Sequence, residues 1–425
     1  MEASEGLRQA RRIHRRFARL LLATAAGAAA AMAFVNEPAT MGGAGAMASS
    51  ILPDAEAAEP ALAFRWTPAM VGELLAEIDA AAGEGLDPAP YGGEAIRREL
   101  ARTGGNAAPD AMADAAALKL AKDYLVGRVT DRAAFDWHIE RTDGDLNQLS
   151  VALGAAVAKG QVRPWLRSLL PADPRYAALR EALAATPAAD GATRDRLMAN
   201  MERWRWMPRD LGPDHIYVNV PSYTLDLVED GREVSSYTVV VGARATPTPQ
   251  MTMAASSVVM NPYWYVPASI IRSSNLRPGR AGYEFVPAGG GRYIVRQRPG
   301  PGNALGRIKI DMPNPQAIYL HDTPAKAYFD RPSRAFSHGC IRVKDIDRLA
   351  EQLVELDNGD AGDVEDGLAS RTTRTVKLST ARPVWLVYFT ADTGPDGRIT
   401  ALEDPYRRDA RLIARLKSPT QLASR

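Results

Sequence analysis

Ser337-His338-Gly339-Cys340-Ile341-Arg342 contains the single cysteine of a 425-residue chain, and His321 lies upstream with fifteen residues between it and Ser337. The chain has five histidines, His14, His138, His215, His321 and His338, and two of them closely precede Cys340. A thiolate is a nucleophile and a neighbouring imidazole can take its proton, so this grouping carries a ready chemistry. A lone cysteine is otherwise commonly a small buried hydrophobe. The local sequence argues against that here. Gly339 permits unusual dihedrals and close backbone approach. Ser337 and His338 are polar where a core strand is apolar, and Arg342 offers a charge to an anion.

A single cysteine cannot close an internal disulfide, so keeping one in an exported chain calls for a chemical reason. The N-terminus has an export pattern. Arg8, Arg11, Arg12, His14, Arg15, Arg16 and Arg19 form a basic block, and the run from Ala18 to Val35 carries no charge after Arg19. Ala46-Met47-Ala48 resembles a cleavage site but lies well past that run, which favours a retained anchor over residues 1–40. A cleaved signal and a buried alanine-rich helix are the competing readings. The expected location is periplasmic, with the positive end held in the cytoplasm. Net charge is +2 with scattered basic residues, so no nucleic-acid footprint is visible.

The expected fold class is α+β and multidomain. Residues 41–63 are rich in Ala, Gly, Ser and Pro and read as a linker. Residues 64–185 read as a helical domain. Met70, Leu74, Leu75 and Ile78 recur at helical spacing, as do Ala117, Leu118, Ala121, Tyr124 and Leu125. His138 stands alone there and reads as a surface or capping residue. After Pro213 the period changes to alternation. Strands are expected at 216–220, 224–228, 234–241, 256–261, 293–298, 307–312, 318–321 and 384–389, and a helix along Ile346, Leu349, Ala350, Leu353 and Val354. Residues 197–390 thus make a mainly-β domain, and residues 391–425 a tail with a helix-like stretch near Tyr406 to Leu416.

At this point residues 199–390 resemble the L,D-transpeptidase catalytic domain, the YkuD-like fold, in its larger periplasmic branch with an N-terminal helical scaffold domain. His321 followed by Ser337-His338-Gly339-Cys340 matches its signature. Asn200-Met201-Glu202-Arg203-Trp204-Arg205-Trp206 is similar to its entry helix, and Asn261-Pro262-Tyr263-Trp264 to its Asn-Pro-x-Trp segment. The run from Pro299 to Gly306 is similar to its glycine-rich loop. The chain departs from that branch twice. The link from Ala184 to Arg196 leaves no room for a peptidoglycan-binding module, and the segment from Ile270 to Tyr293 is brief where relatives carry a capping insertion.

The resemblance implies that Cys340 is the nucleophile and His321 its base, oriented by the backbone carbonyl of Asp322. His338 is expected to orient the loop or substrate, with the base role as its alternative. The N–H groups of Gly339 and Cys340 are expected to face a developing oxyanion. Arg342, Ser337, Trp264 and Asn303 are candidate substrate-binding residues. For Arg342 bracing the loop weighs equally, for Ser337 a local hydrogen bond is expected, and for Trp264 and Tyr263 core packing is the alternative. Tyr319 and Tyr265 read as core or cleft wall.

The reaction implied is transfer of a peptidoglycan tetrapeptide stem, with loss of its terminal D-alanine, to the residue-three side-chain amine of another stem, giving a 3-3 cross-link. Acylation by carbapenems is implied as well. Water or a protein lysine as acceptor, and a non-catalytic wall-binding scaffold, are the alternatives. No metal or organic cofactor is expected, because a thiolate and an imidazole suffice, and Cys340, His338 and His321 make too few well-spaced ligands for a metal. Expected partners are stem peptides, the membrane through the N-terminal segment and other cell-wall synthesis proteins.

Overall fold

A computed structural model describes residues 65–104, 109–141, 145–394 and 397–418. The expected anchor and linker lie outside the described residues. No helix among the described residues is long and apolar enough to cross a membrane.

The helical part begins with α1 (Pro68–Ala80), α2 (Gly93–Arg102) and α3 (Asp110–Val126). A two-residue strand follows, β1 (Trp137–His138), and then α4 (Leu149–Ala158), α5 (Val162–Ser168), α6 (Pro174–Ala185) and α7 (Gly191–Trp206). Local chemistry sets the starts of α1 and α6. Thr67 accepts from Met70 N and Asp173 from Arg175 N, each with a proline in the first turn. Val71, Leu74, Ile78, Leu120, Tyr124, Leu153, Leu166 and Leu179 meet in one core. His138 is exposed and pairs with Asp136 at 2.9 Å, the surface role its isolation predicts.

The β part runs β2 (His215–Asn219), β3 (Thr224–Glu229), β4 (Arg232–Gly242), β5 (Gln250–Met260), β6 (Trp264–Tyr265), α8 (Ala268–Ser273), β7 (Tyr283–Pro287) and β8 (Tyr293–Gln297). It continues with β9 (Ile308–Asp311), β10 (Leu320–His321), β11 (Ala335–Ser337), β12 (Ile341–Val343), α9 (Ile346–Leu356), α10 (Gly362–Ala369) and β13 (Arg374–Val387). The strand order β5-β13-β2-β3-β4-β12-β10-β9, with β9 pairing back onto β5, closes the sheet on itself. Closure removes free edges, and β1 extends the sheet from β5. Strands β6, β8 and β7 form a separate three-stranded flap, so the brief segment from Ile270 to Tyr293 still carries a hairpin.

Two cores share the sheet. Ile216, Val218, Val384 and Leu386 join Val239, Ile310, Leu320, Ile341 and the α9 face of Ile346, Leu349, Leu353 and Val354. Tyr217, Trp385, Val387 and Phe389 point the other way, into the helical core. Strand β2 is therefore buried on both faces, where its sequence suggested one buried face.

The chain after β13 does not trail away. β14 (Ala391–Thr393) and β15 (Ile399–Ala401) pair, and α11 (Asp409–Lys417) buries Leu412 and Leu416 in the helical core. Arg203 of α7 meets Asp409 at 2.7 Å, and Asn200 exchanges hydrogen bonds with Thr390, all of them buried. The expected tail is thus a clamp between the entry helix and the sheet.

Candidate active site

Strand pairing places the chemistry. β10 and β12 run parallel, with Leu320 opposite Ile341 and His321 opposite Arg342. The Ile341 N–H donates to Tyr319 O at 3.1 Å, so the ladder extends one step and sets Cys340 beside Tyr319. Residues two apart on a strand share a face. Leu320, Ile341 and Val343 fill the barrel core, which turns Tyr319, His321, Cys340 and Arg342 together onto the outer face. The Tyr319 and His321 rings meet edge-on at 5.6 Å. β9 adds Lys309 opposite His321, and its ammonium lies 4.6 Å over the Tyr319 ring.

His321 is 5 % exposed and its Nδ1 lies 2.5 Å from Asp322 O. A carbonyl only accepts, so Nδ1 carries the hydrogen and Nε2 keeps its lone pair. Burial, helped by the Arg342 charge, pushes the imidazole down to about 3. Burial pushes the Cys340 thiol up, while hydrogen bonds with Tyr319 and the charges of Lys309 and Arg342 pull it back. The resting pair is therefore neutral thiol and neutral imidazole. The thiol donates to Ala317 O at 3.6 Å in this state, and Cys340 is half-buried.

The turn before Cys340 is built by hydrogen bonds within the motif and beneath it. Gly339 sits at φ +115°, a conformation that L side chains rarely adopt. Its N–H donates to Ser337 Oγ at 3.1 Å, and Ser337 Oγ donates to Cys340 O at 2.5 Å. One expectation changes here. The Gly339 amide is engaged within the turn. Ser337, 2 % exposed, makes the local hydrogen bond expected of it, which leaves its hydroxyl nothing for substrate. The Cys340 amide has no acceptor among the described residues, which leaves it as the turn's open donor. Below the turn, Thr248 Oγ1 donates to Gly339 O at 2.7 Å and accepts from Gly242 N at 2.9 Å. Tyr406, from the C-terminal segment, donates to Gly242 O at 2.7 Å and accepts from Thr248 N at 3.1 Å.

His338 is exposed and lines a cavity of about 590 Å³ with Ala134, Thr246, Pro247, Gly339 and Arg408. Among the described residues no carbonyl fixes its ring as Asp322 fixes that of His321. Asp322 does more than orient His321. Its carboxylate accepts from Arg307 N at 2.9 Å and from Lys326, and a Cβ on Gly306 would lie 2.3 Å from Oδ2. It thereby pins the glycine-rich loop to the end of β10.

Asn303 is 1 % exposed, and its amide donates to Pro262 O at 2.9 Å and Arg298 O at 3.0 Å while Oδ1 accepts from Leu305 N at 2.8 Å. It braces that loop and has nothing left for substrate, which corrects its expected role. Trp264 is half-buried and lies beside Tyr319, so it walls the site. Tyr265 is 61 % exposed and belongs to neither core nor wall. Arg342 stacks 5.7 Å over Tyr328, its Nε is buried without a partner, and no carboxylate pairs with it among the described residues.

Family comparison places this geometry. Residues 213–386 match the model of the L,D-transpeptidase catalytic domain, and residues 61–183 match that of a scaffold domain.

Residues 213–386 form an L,D-transpeptidase catalytic domain.

A curated protein of Haemophilus influenzae, named as a candidate L,D-transpeptidase, is 34 % identical over 245 residues, which cover 51 % of this chain and 48 % of that protein. The chain thus spans about half the length of that relative. Among solved structures, an L,D-transpeptidase from Mycobacterium smegmatis matches at 12 % identity and a TM-score of 0.23, covering 41 % of this chain and 58 % of that one. L,D-transpeptidase 1 of Mycobacterium tuberculosis matches at 12 % identity and a TM-score of 0.20, covering 41 % and 59 %.

Around the transpeptidase motif, sequence reasoning misses Thr248, Tyr406 and Lys309. The first two stand far from the motif in sequence, and their hydroxyls act on backbone atoms, which leave no residue pattern. Lys309 alternates with Ile308 and Ile310, so its outward face was legible, but its neighbour on β10 was not.

Proposed function

We propose that the chain is a peptidoglycan L,D-transpeptidase with Cys340 as nucleophile and His321 as general base. The observation that supports this best is the shared outer face of Cys340, Tyr319, His321 and Arg342, with His321 Nε2 unprotonated. As the thiol sulfur attacks the carbonyl of stem residue three, the Cys340 proton passes to Nε2. Lys309 and Arg342 favour the forming thiolate over a free imidazolium. The Cys340 amide donates to the oxyanion. Collapse expels D-alanine, whose amine takes the proton from the imidazolium, and leaves a thioester. The residue-three side-chain amine of a second stem then gives up a proton to Nε2, attacks the thioester and restores the thiol, making a 3-3 link.

Arg342 takes a substrate carboxylate in this reading, because a half-buried cation without an anionic partner has that as its natural complement. His338 orients the loop and does not act as base. Trp264 bounds the stem. The N-terminal basic block and apolar run support a periplasmic site of action beside the membrane.

Product analysis tests the proposal. The purified full-length protein is incubated with tetrapeptide-bearing muropeptides, with Cys340→Ala as control, and the products are resolved by mass spectrometry. Dimers with 3-3 linkage that require Cys340 are expected. D-alanine release without dimers would make water the acceptor and the enzyme an L,D-carboxypeptidase. Absence of both, with no covalent adduct from a carbapenem, would favour a wall-binding scaffold.

A further inference from the structure

A second cavity, of about 640 Å³, lies between α6, α7 and the outer face of β2 and β3, and shares no lining residue with the cavity beside Cys340. Asp173, Arg175, Trp204, Tyr217, Asp226 and Asp392 form its working wall. Trp204 and Tyr217 are 2 % and 3 % exposed, yet Trp204 Nε1 and Tyr217 Oη have no hydrogen-bond partner among the described residues. Buried donors are costly to leave unpaired, so two in one cavity call for an acceptor. The Arg175 guanidinium lies 4.6 Å and 4.5 Å over these two rings and is already bound by both oxygens of Asp173.

The opposite need stands beside it. Asp226 is in register with Tyr217 and so shares its face. Burial, with Glu233 and Asp392 nearby, pushes its carboxyl up to about 6. Burial raises Asp392 as well, against the pull of Arg175. With Arg175 committed to Asp173, these carboxylates lack a cation of their own among the described residues. A metal ion would serve the carboxylates and leave the two donors unpaired. A neutral sugar would serve the donors and leave the charge.

We propose that this cavity binds a free α-amino acid as its zwitterion, the ammonium held by Asp226 and Asp392 and the carboxylate by Trp204 Nε1 and Tyr217 Oη. The site stands apart from the transpeptidase site and does not depend on its chemistry. Titration calorimetry of the full-length protein with glycine, D-alanine and L-alanine tests it, with ethanolamine, propionate and N-acetylglucosamine as controls. An amino acid is expected to bind while ethanolamine and propionate, each lacking one charge, do not. A hydrogen bond to a charged group is worth roughly ten-fold or more in affinity, so Tyr217→Phe and Asp226→Asn should each weaken binding by at least about ten-fold. Cys340→Ala should bind as the parent does. Four results would overturn the proposal: no heat from any amino acid at tens of millimolar, equal binding of a control, loss of binding in Cys340→Ala, or unchanged binding in both cavity variants while they melt like the parent.

Discussion

His321→Gln should flatten the acid dependence of folding stability. In the native protein the imidazole is held near 3 by burial, whereas an unfolded histidine titrates near 6.5. Between those values the unfolded chain binds a proton that the folded chain refuses. A group whose folded value is lowered in this way costs nothing above about pH 6.5 and removes stability progressively as pH falls towards 3. Taking about 1.4 kcal/mol for each unit, the loss from pH 7 to pH 4.5 is roughly 2.5 kcal/mol for this one residue. Other groups titrate in the same range, and Asp226 opposes it because its folded value is raised. The quantity to measure is therefore the difference between parent and variant. Urea unfolding followed by tryptophan fluorescence at pH 7, 5.5 and 4.5 supplies it. The parent should lose about 2.5 kcal/mol more than His321→Gln across that range. Parallel loss in both proteins would mean that His321 titrates normally in the fold, and the neutral imidazole assigned to the resting site would be wrong.

Other consequences follow from single contacts. Tyr406→Phe leaves Thr248 N and Gly242 O without their partner and should cost about 1–3 kcal/mol in unfolding free energy; because those atoms carry the Gly339 turn, kcat should fall while KM holds. Gly306→Ala puts a methyl against Asp322 and a side chain at φ +62°, so the melting temperature and transpeptidation should both drop. Asp409→Ala strands Arg203 in a buried site and should destabilise by about 3–5 kcal/mol, read by denaturant midpoint. The Cys340 thiol, raised by burial, should react with iodoacetamide slowly at neutral pH, its rate still climbing above the ordinary thiol range.

The sequence was most readable where side-chain pattern alone carries the information. The helical spacing of Leu74 and Ile78, the alternation after Pro213 and the apolar face of Ile346 to Val354 each report burial, and burial is what the structure shows. Shorter strands escaped because closure, not propensity, makes them. β12 is three residues long and depends on β4 and β10 on either side. The first half of β13, Arg374 to Arg382, has a mixed polar sequence that only its pairing with β5 holds extended. Within the site, Cys340 and His321 were found by their types and spacing. The roles of Gly339 and Asn303 turned on which backbone atom each one meets, and a linear sequence does not show that. The C-terminal clamp was hidden for the same reason, since Tyr406 and Asp409 act on residues more than a hundred positions away.

The most direct measurement is the intact mass of the full-length protein, acid-quenched after brief exposure to a tetrapeptide muropeptide, with the adduct mapped by proteolysis. A mass gain equal to the donor less one D-alanine is expected, carried as a thioester on the Cys340 peptide and slow to form in His321→Gln. An adduct on another residue, or D-alanine released at full rate by Cys340→Ala, would contradict it.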